Sequence, residues 1–340
     1  MSPYEPVESP DETTIFSYHS LTPPTTREIY EAQRIVRRYL PRTPLVRSES
    51  LSADLDADVY LKREDVLPTG SFKIRGFYNL VANLNREFRE RGLITSSMGN
   101  HGQGMATAAR EFDVSAVVVV PETLENPTKI DGMKRLGATV VRHGQDVDEA
   151  REHAEREAAE KGYRYVHGGN EPHLIAGRAS AGLEVMEDCP DVDVVINPVG
   201  GGSSAAAYAL TVSKLLGADV VGVQAAGADA VYRAWSEGII ELQDRADTFA
   251  EGIKTRTPFA LPLGIMREHL TEMVLVEDDD LRAAIRQLLV DDSVLAEGAA
   301  ATSVAAALQL GDTLAGKTVV LPISGSNLSA EKLREILANR

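Results

Sequence analysis

Thr69-Gly70-Ser71-Phe72-Lys73-Ile74-Arg75-Gly76 places one lysine between two glycines, just after the strand-like run Val59-Tyr60-Leu61-Lys62. A lysine becomes a useful amine nucleophile only in a dry, shielded site, because desolvation lowers its pKa toward neutrality. Such an amine can hold a carbonyl cofactor as a Schiff base. Alone the pattern carries little weight, since most lysines are solvated surface charges. Its meaning depends on the other loops of the chain.

Three more turns stand where a strand gives way to a helix or a loop. Pro198-Val199-Gly200-Gly201-Gly202-Ser203-Ser204 follows a buried strand and opens a helix. Glycines there let backbone N–H groups approach a phosphate, and the helix N-terminus adds partial positive charge. The spacing is neither the dinucleotide G-x-G-x-x-G nor the P-loop, which needs Lys-Ser/Thr after its last glycine; a purely structural turn is the competing reading. Ser97-Met98-Gly99-Asn100-His101 also opens a helix. It could clamp a carboxylate or a cofactor oxygen, or simply cap the helix. Leu321-Pro322-Ile323-Ser324-Gly325-Ser326-Asn327 sets small polar groups at a strand terminus, where ligands gather in open α/β sheets.

Between these turns the periodicity alternates. Helices are expected over residues 26–40, from the Lys73 loop to about Arg91, after the 96–104 loop, and over 127–136, 147–161, 175–187, 205–216, 279–290 and 293–310. Strands are expected over 59–62, 93–95, 116–120, 139–141, 192–197, 220–223, 272–276 and 318–321. The stretch 229–263 reads as less regular. In 147–161, Val147, Ala150, Ala154 and Ala158 share one face, small enough for close packing on a sheet. Strand–helix alternation of this kind makes parallel sheets with right-handed crossovers. Residues 1–26, rich in Pro, Ser, Thr and Glu, read as a loose arm without the basic start and apolar core of a secretory signal.

At 340 residues the chain can bury a substantial core. A formal net charge of -16 disfavours binding a nucleic-acid backbone. Lysines are few relative to arginines and the acids are scattered, a pattern of salt adaptation or of ordinary acidic solubility. A single cysteine, Cys189, rules out a disulfide framework and a cysteine zinc cluster. No run approaches the ~20 apolar residues of a membrane helix. A cytoplasmic protein with no membrane partner is expected.

In chain order, the four turns, together with Glu171-Pro172-His173-Leu174-Ile175-Ala176-Gly177, resemble the fold-type II pyridoxal-phosphate enzymes, specifically the threonine/serine dehydratase and serine racemase group. The resemblance runs from about Thr26 to Leu328. It implies an α/β fold of two open parallel-sheet domains with helices on both faces, like the tryptophan synthase β subunit. Residues 1–88 and 168–340 would form the large cofactor-binding domain, and 89–167 a small mobile domain on the substrate side. The implied cofactor is pyridoxal 5'-phosphate, carried by Lys73. Phe72 would pack beside the ring, Asn100 would bond its phenolic oxygen, and Ser324 would face the pyridine nitrogen. Gly200, Gly201, Gly202 and Ser203 would hold the phosphate. Ser97, Asn100 and His101 would receive the substrate carboxylate, and Glu297 would line the pocket. A homodimer, and no appended C-terminal regulatory domain, are also expected.

Departures from the pattern narrow the activity. Met98 stands where racemases carry a second serine as opposite-face acid/base, so racemisation is not expected. Gln224 and Ala230 stand at the carboxylates of the racemase metal site, and a neutral oxygen and a methyl make a poor hard-cation site, so no metal is expected. Gly169 replaces a racemase Asn, and Ser203 replaces a fourth glycine common in dehydratases. The reading is an ammonia-lyase that deaminates L-threonine or L-serine to a 2-oxo acid and ammonia by α,β-elimination. The alternatives are a threonine synthase-like or cysteine synthase-like β/γ-replacement enzyme, a hydroxyaspartate or diaminopropionate lyase, and a catalytically silent ligand-binding module.

Overall fold

The computed structural model describes residues 21–124 and 127–338. Most of the expected N-terminal arm, residues 1–20, lies outside them. Ten strands form two sheets. The larger uses β1 (Leu45–Arg47), β2 (Asp58–Arg63), β7 (Val194–Pro198), β8 (Asp219–Ala225), β9 (Glu272–Val276) and β10 (Thr318–Ile323), in the order β1-β2-β10-β7-β8-β9. The smaller uses β3 (Leu93–Ser96), β4 (Ala116–Val120), β5 (Thr139–Arg142) and β6 (Arg164–Tyr165), in the order β5-β4-β3-β6. All neighbours run parallel except β1, which pairs antiparallel with β2. The fold is therefore α/β with two open, mainly parallel sheets.

Sequence chemistry accounts for the layers. Every residue of β4, Ala-Val-Val-Val-Val, is buried, as a strand covered on both faces requires. The helix Val147–Lys161 buries Ala150, Ala154 and Ala158 against Ile94, Val117 and Val119 of the small sheet. On the large sheet, the helices Asp278–Asp291 and Gly298–Leu310 cover one face, and Pro172–Asp188 and Ser203–Tyr208 the other. The helix Thr26–Tyr39 begins with a capping box, in which Thr25 and Glu28 satisfy each other's backbone N–H groups.

The structure corrects two boundaries. The expected helix from the Lys73 loop to about Arg91 is two helices: Lys73–Ala82, and Arg86–Arg91 capped by the Asn85 side chain on the Phe88 amide. A strong N-cap residue restarts the helix there. The less regular stretch 229–263 contains the helix Ala230–Glu237, and the helix Ala260–His269 starts near its end. Pro262 there looks like a breaker but sits in a first turn, where a missing N–H costs little.

Two of the quoted motifs are one packing contact. A Cβ on Gly76 would lie 2.8 Å from the Leu174 carbonyl oxygen, and one on Gly177 would lie 2.6 Å from the Arg75 carbonyl oxygen. Glycine at both positions lets the helices Lys73–Ala82 and Pro172–Asp188 cross backbone to backbone. The crossing fixes the helix that begins at Lys73.

Candidate active site

The carboxyl ends of β2, β10 and β7 lie side by side in the large sheet, where an open α/β sheet binds ligands. After β2 comes the Lys73 turn; after β10, Ser324; after β7, the glycine loop. Pairing between β10 and β7 covers Val319 and Val320, short of Pro322, which has no N–H to give. The turns are stitched together. The Phe72 N–H donates to the Ser324 carbonyl oxygen at 3.1 Å, and Ser326 N–H to Gly70 O at 2.9 Å. Asn327 Nδ2 donates to Thr69 O at 2.8 Å and to Asn100 Oδ1 at 2.7 Å. Asn327, not singled out from sequence, thereby ties the lysine turn to the loop of the small sheet.

Lys73, Ser97, Met98, Asn100, His101 and Glu297 line a single cavity together with Lys129, Glu251, Gly252 and Lys332. Burial and, after it, the Arg178 cation outweigh Glu297 and together lower the Lys73 pKa to about 8. A substantial fraction of the amine is then neutral near pH 8. Burial raises the Glu297 pKa against the pull of Lys73 and Lys129. Its Oε1 accepts from Asn100 Nδ2 at 2.8 Å, and its N–H donates to Gly325 O at 3.0 Å.

The small-sheet loop is held from within. Ser97 Oγ accepts the amides of Gly102 at 2.9 Å and Gly99 at 3.2 Å and donates to Gly99 O at a long 3.5 Å, so it serves the helix start Asn100–Glu111. The His101 ring is committed to packing. Its Nε2 lies 3.1 Å from Thr95 Oγ1 and its ring meets Phe77 edge-on at 4.7 Å. Burial, with the Arg178 and Lys73 charges, keeps it neutral, well below the usual histidine range. What His101 offers a ligand is its backbone N–H.

The glycine loop lies behind Gly252. A Cβ on Gly200 would sit 2.6 Å from the Gly252 carbonyl oxygen, and one on Gly201 would overlap the Phe259 ring. Gly202 has φ +83 and is the N-cap of the helix that opens at Ser203, with no side chain capping it. The Phe72 ring is shared by two cations: Lys73 Nζ lies 5.2 Å from its centre and Arg178 Cζ 5.6 Å. Arg178 in turn donates to Ser203 Oγ. The lysine is thus linked to the end of the glycine loop through the Phe72 ring and Arg178. Gln224 is buried in β8, and its Oε1 accepts the Tyr232 amide at 2.9 Å. Among the described residues no cluster of three or more His, Cys, Asp or Glu could hold a metal ion.

A buried amine near neutrality, an uncapped helix start and a buried guanidinium beside it fit an aldehyde that carries a phosphate. That is the site of a pyridoxal-phosphate-dependent enzyme, and the model of that family, "Pyridoxal-phosphate dependent enzyme", matches residues 36–325. The chain belongs to this family. It is 39% identical over 314 residues to an L-threonine ammonia-lyase of Thermotoga maritima, covering 92% of this chain and 78% of the relative. A catabolic L-threonine dehydratase of Staphylococcus aureus is 31% identical over 316 residues, 91% of each chain. The solved processed form of threonine deaminase isoform 2 from Solanum lycopersicum superposes with a TM-score of 0.87 at 31% identity, covering 93% of this chain and 89% of that one.

Proposed function

We propose that this chain is a pyridoxal-phosphate-dependent ammonia-lyase that converts L-threonine or L-serine to the corresponding 2-oxo acid and ammonia. The observation that carries this is the buried Lys73 amine, held to about 8, in one cavity with the Ser97–His101 loop. The Ser97 hydroxyl and the amides at the start of the helix Asn100–Glu111 would receive the substrate carboxylate. A carboxylate held there would turn the α-hydrogen toward the Lys73 amine, which would take the proton as general base when it is not itself bonded to the aldehyde. The cofactor, when bound, supplies the electron sink for the pair left on the α-carbon. The Lys73 end would hold the aldehyde carbon, the Phe72 ring would flank the cofactor, and Asn100 would bond its phenolic oxygen. Ser324 would meet the ring nitrogen with a neutral hydroxyl, which favours loss of the β-hydroxyl over long-lived carbanion chemistry. Met98 carries no exchangeable proton, so the face opposite Lys73 has no partner there for racemisation.

The relatives named above support this reading by their shared length and names, and the finer site roles rest on the geometry. The division into a large unit of 1–88 and 168–340 and a small unit of 89–167 belongs to the same proposal, as do a homodimer and a cytoplasmic location. Among the described residues no helix is long and apolar enough to cross a membrane.

The test is a panel of β-substituted amino acids assayed with the purified, cofactor-loaded protein. L-Threonine should give 2-oxo acid and ammonia in equal amounts with no second substrate. Product only after adding an external nucleophile would make it a replacement enzyme, and accumulation of the D-amino acid would overturn the role given to Met98.

A further inference from the structure

Two arginines, Arg75 and Arg178, are fully enclosed, and they are treated in opposite ways. Arg75 has both its carboxylates: it donates to Glu64 at 2.6 and 2.8 Å and to Glu184 at 2.8 and 2.9 Å. Arg178, 2% exposed on the helix Pro172–Asp188, donates through Nη1 to Ser203 Oγ and, at 3.4 Å, to Gly168 O. Its Nε and Nη2 have no hydrogen-bond partner among the described residues. The acid nearest to it in effect, Glu171, is itself paired with Arg164. A guanidinium has five N–H donors, and burying it without a bonded anion costs several kcal/mol. Something anionic on its open side would offset that cost.

The neighbours of Arg178 are the candidate cofactor residues. Arg178 lies over the same Phe72 ring as Lys73 and holds the hydroxyl of Ser203, the first residue of the helix behind the glycine loop. Because Ser203 Oγ accepts from Arg178, its own hydrogen is free to point at an anion. We infer that Arg178 is a cofactor-binding residue: its guanidinium, with Ser203 and the amides of the glycine loop, neutralises the phosphate of the pyridoxal cofactor. The backbone cradle supplies only partial charges, whereas a phosphomonoester brings nearly two negative charges. Ser203 and Arg178 then form a unit, in which the serine at the fourth loop position is oriented by the arginine. The same cation faces Lys73 and His101, and it disfavours the charged form of both. Compensation by the phosphate would ease that effect on the lysine.

The inference rests on the cofactor and not on the choice of substrate, and the experiment separates the two. Apoenzyme is titrated with pyridoxal 5'-phosphate and with phosphate-free pyridoxal, following the visible absorbance of the lysine-bound aldehyde, for wild type, Arg178→Gln and Arg178→Lys. Loss of a charge-assisted contact should weaken pyridoxal phosphate at least roughly tenfold in Arg178→Gln and less in Arg178→Lys, with pyridoxal unchanged. In parallel, phosphorus NMR of the holoenzyme should show the phosphate remaining dianionic well below its free second pKa of about 6, and protonating nearer that value in Arg178→Gln. Equal loss for both ligands, or no loss, overturns the inference. So does a wild-type phosphate that titrates at its free value, a measurement that stands even if Arg178→Gln does not fold. Absence of a visible band with wild type would instead refute the cofactor assignment.

Discussion

Glu184→Gln removes one charge from a closed box and leaves its shape. The box holds two cations, Lys62 and Arg75, and two carboxylates, Glu64 and Glu184, all at or below 2% side-chain exposure. Glu184 takes Lys62 Nζ at 2.8 Å and Arg75 at 2.8 and 2.9 Å, and Thr43 closes the group through its hydroxyl and carbonyl. The charges balance, so the amide leaves one buried positive charge uncompensated. Breaking a buried pair from one side costs about 3–5 kcal/mol, a large part of a whole protein's stability of roughly 5–15 kcal/mol. Burial pushes the Glu184 pKa up, but Arg75 and Lys62 outweigh it and hold it down to about 2. Its contribution is therefore present above the unfolded value of 4.5 and is lost as pH falls from there toward 2. Urea unfolding at neutral pH should show the loss, and the acid limb of the wild-type stability curve should flatten in the variant. The companion double variant Lys62→Met/Glu184→Met restores neutrality and should recover most of the stability. A single-variant loss below about 1 kcal/mol, or a double variant no better than the single, would refute charge balance as the reason. The functional stake is position, because Arg75 sits two residues after Lys73 on the same helix.

Two further outcomes follow from the same geometry. Gly200→Ala drives a Cβ to 2.6 Å from the Gly252 carbonyl oxygen, which is backbone and cannot rotate away. It should cost about 1–3 kcal/mol and weaken pyridoxal phosphate in an absorbance titration, whereas an unchanged affinity would show the loop has slack. Lys129 and Glu251 pair on the cavity wall with Glu251 partly in solvent. An exposed pair contributes ~0–1 kcal/mol, so Glu251→Gln should change KM less than about fivefold, and the difference should vanish in high salt; a salt-independent change would assign Glu251 a direct substrate contact.

The lysine turn, the glycine loop and the Ser97–His101 loop were legible because each needs particular residue types in a short window. Gly200 and Gly202 answer to a backbone approach and a positive φ that no other residue meets as cheaply. The charge box was not legible. Glu184, within Leu183-Glu184-Val185, reads locally as the polar side of a helix, and its partner Lys62 lies 122 positions away. Arg178 was hidden by the same limit: it follows Gly177 in a run of small residues, and only the fold brings it to Ser203 and Phe72. An arginine amid Ala, Gly and Ser in a helix otherwise bound for the core was the one local sign. Ser97 shows the reverse case, where the local reading as a helix-start residue is what the structure gives.

Three lysines, Lys73, Lys129 and Lys332, face the same cavity, and the account assigns the cofactor to one of them. Lys73 alone is set beside the Phe72 ring that Arg178 shares, at the start of a helix fixed by Gly76 and Gly177. Borohydride reduction of the cofactor-loaded protein, followed by peptide mass mapping, should place one pyridoxyl group on Lys73, and none on Lys73→Ala. A pyridoxyl group on Lys129 or Lys332 in the wild-type protein would contradict the account.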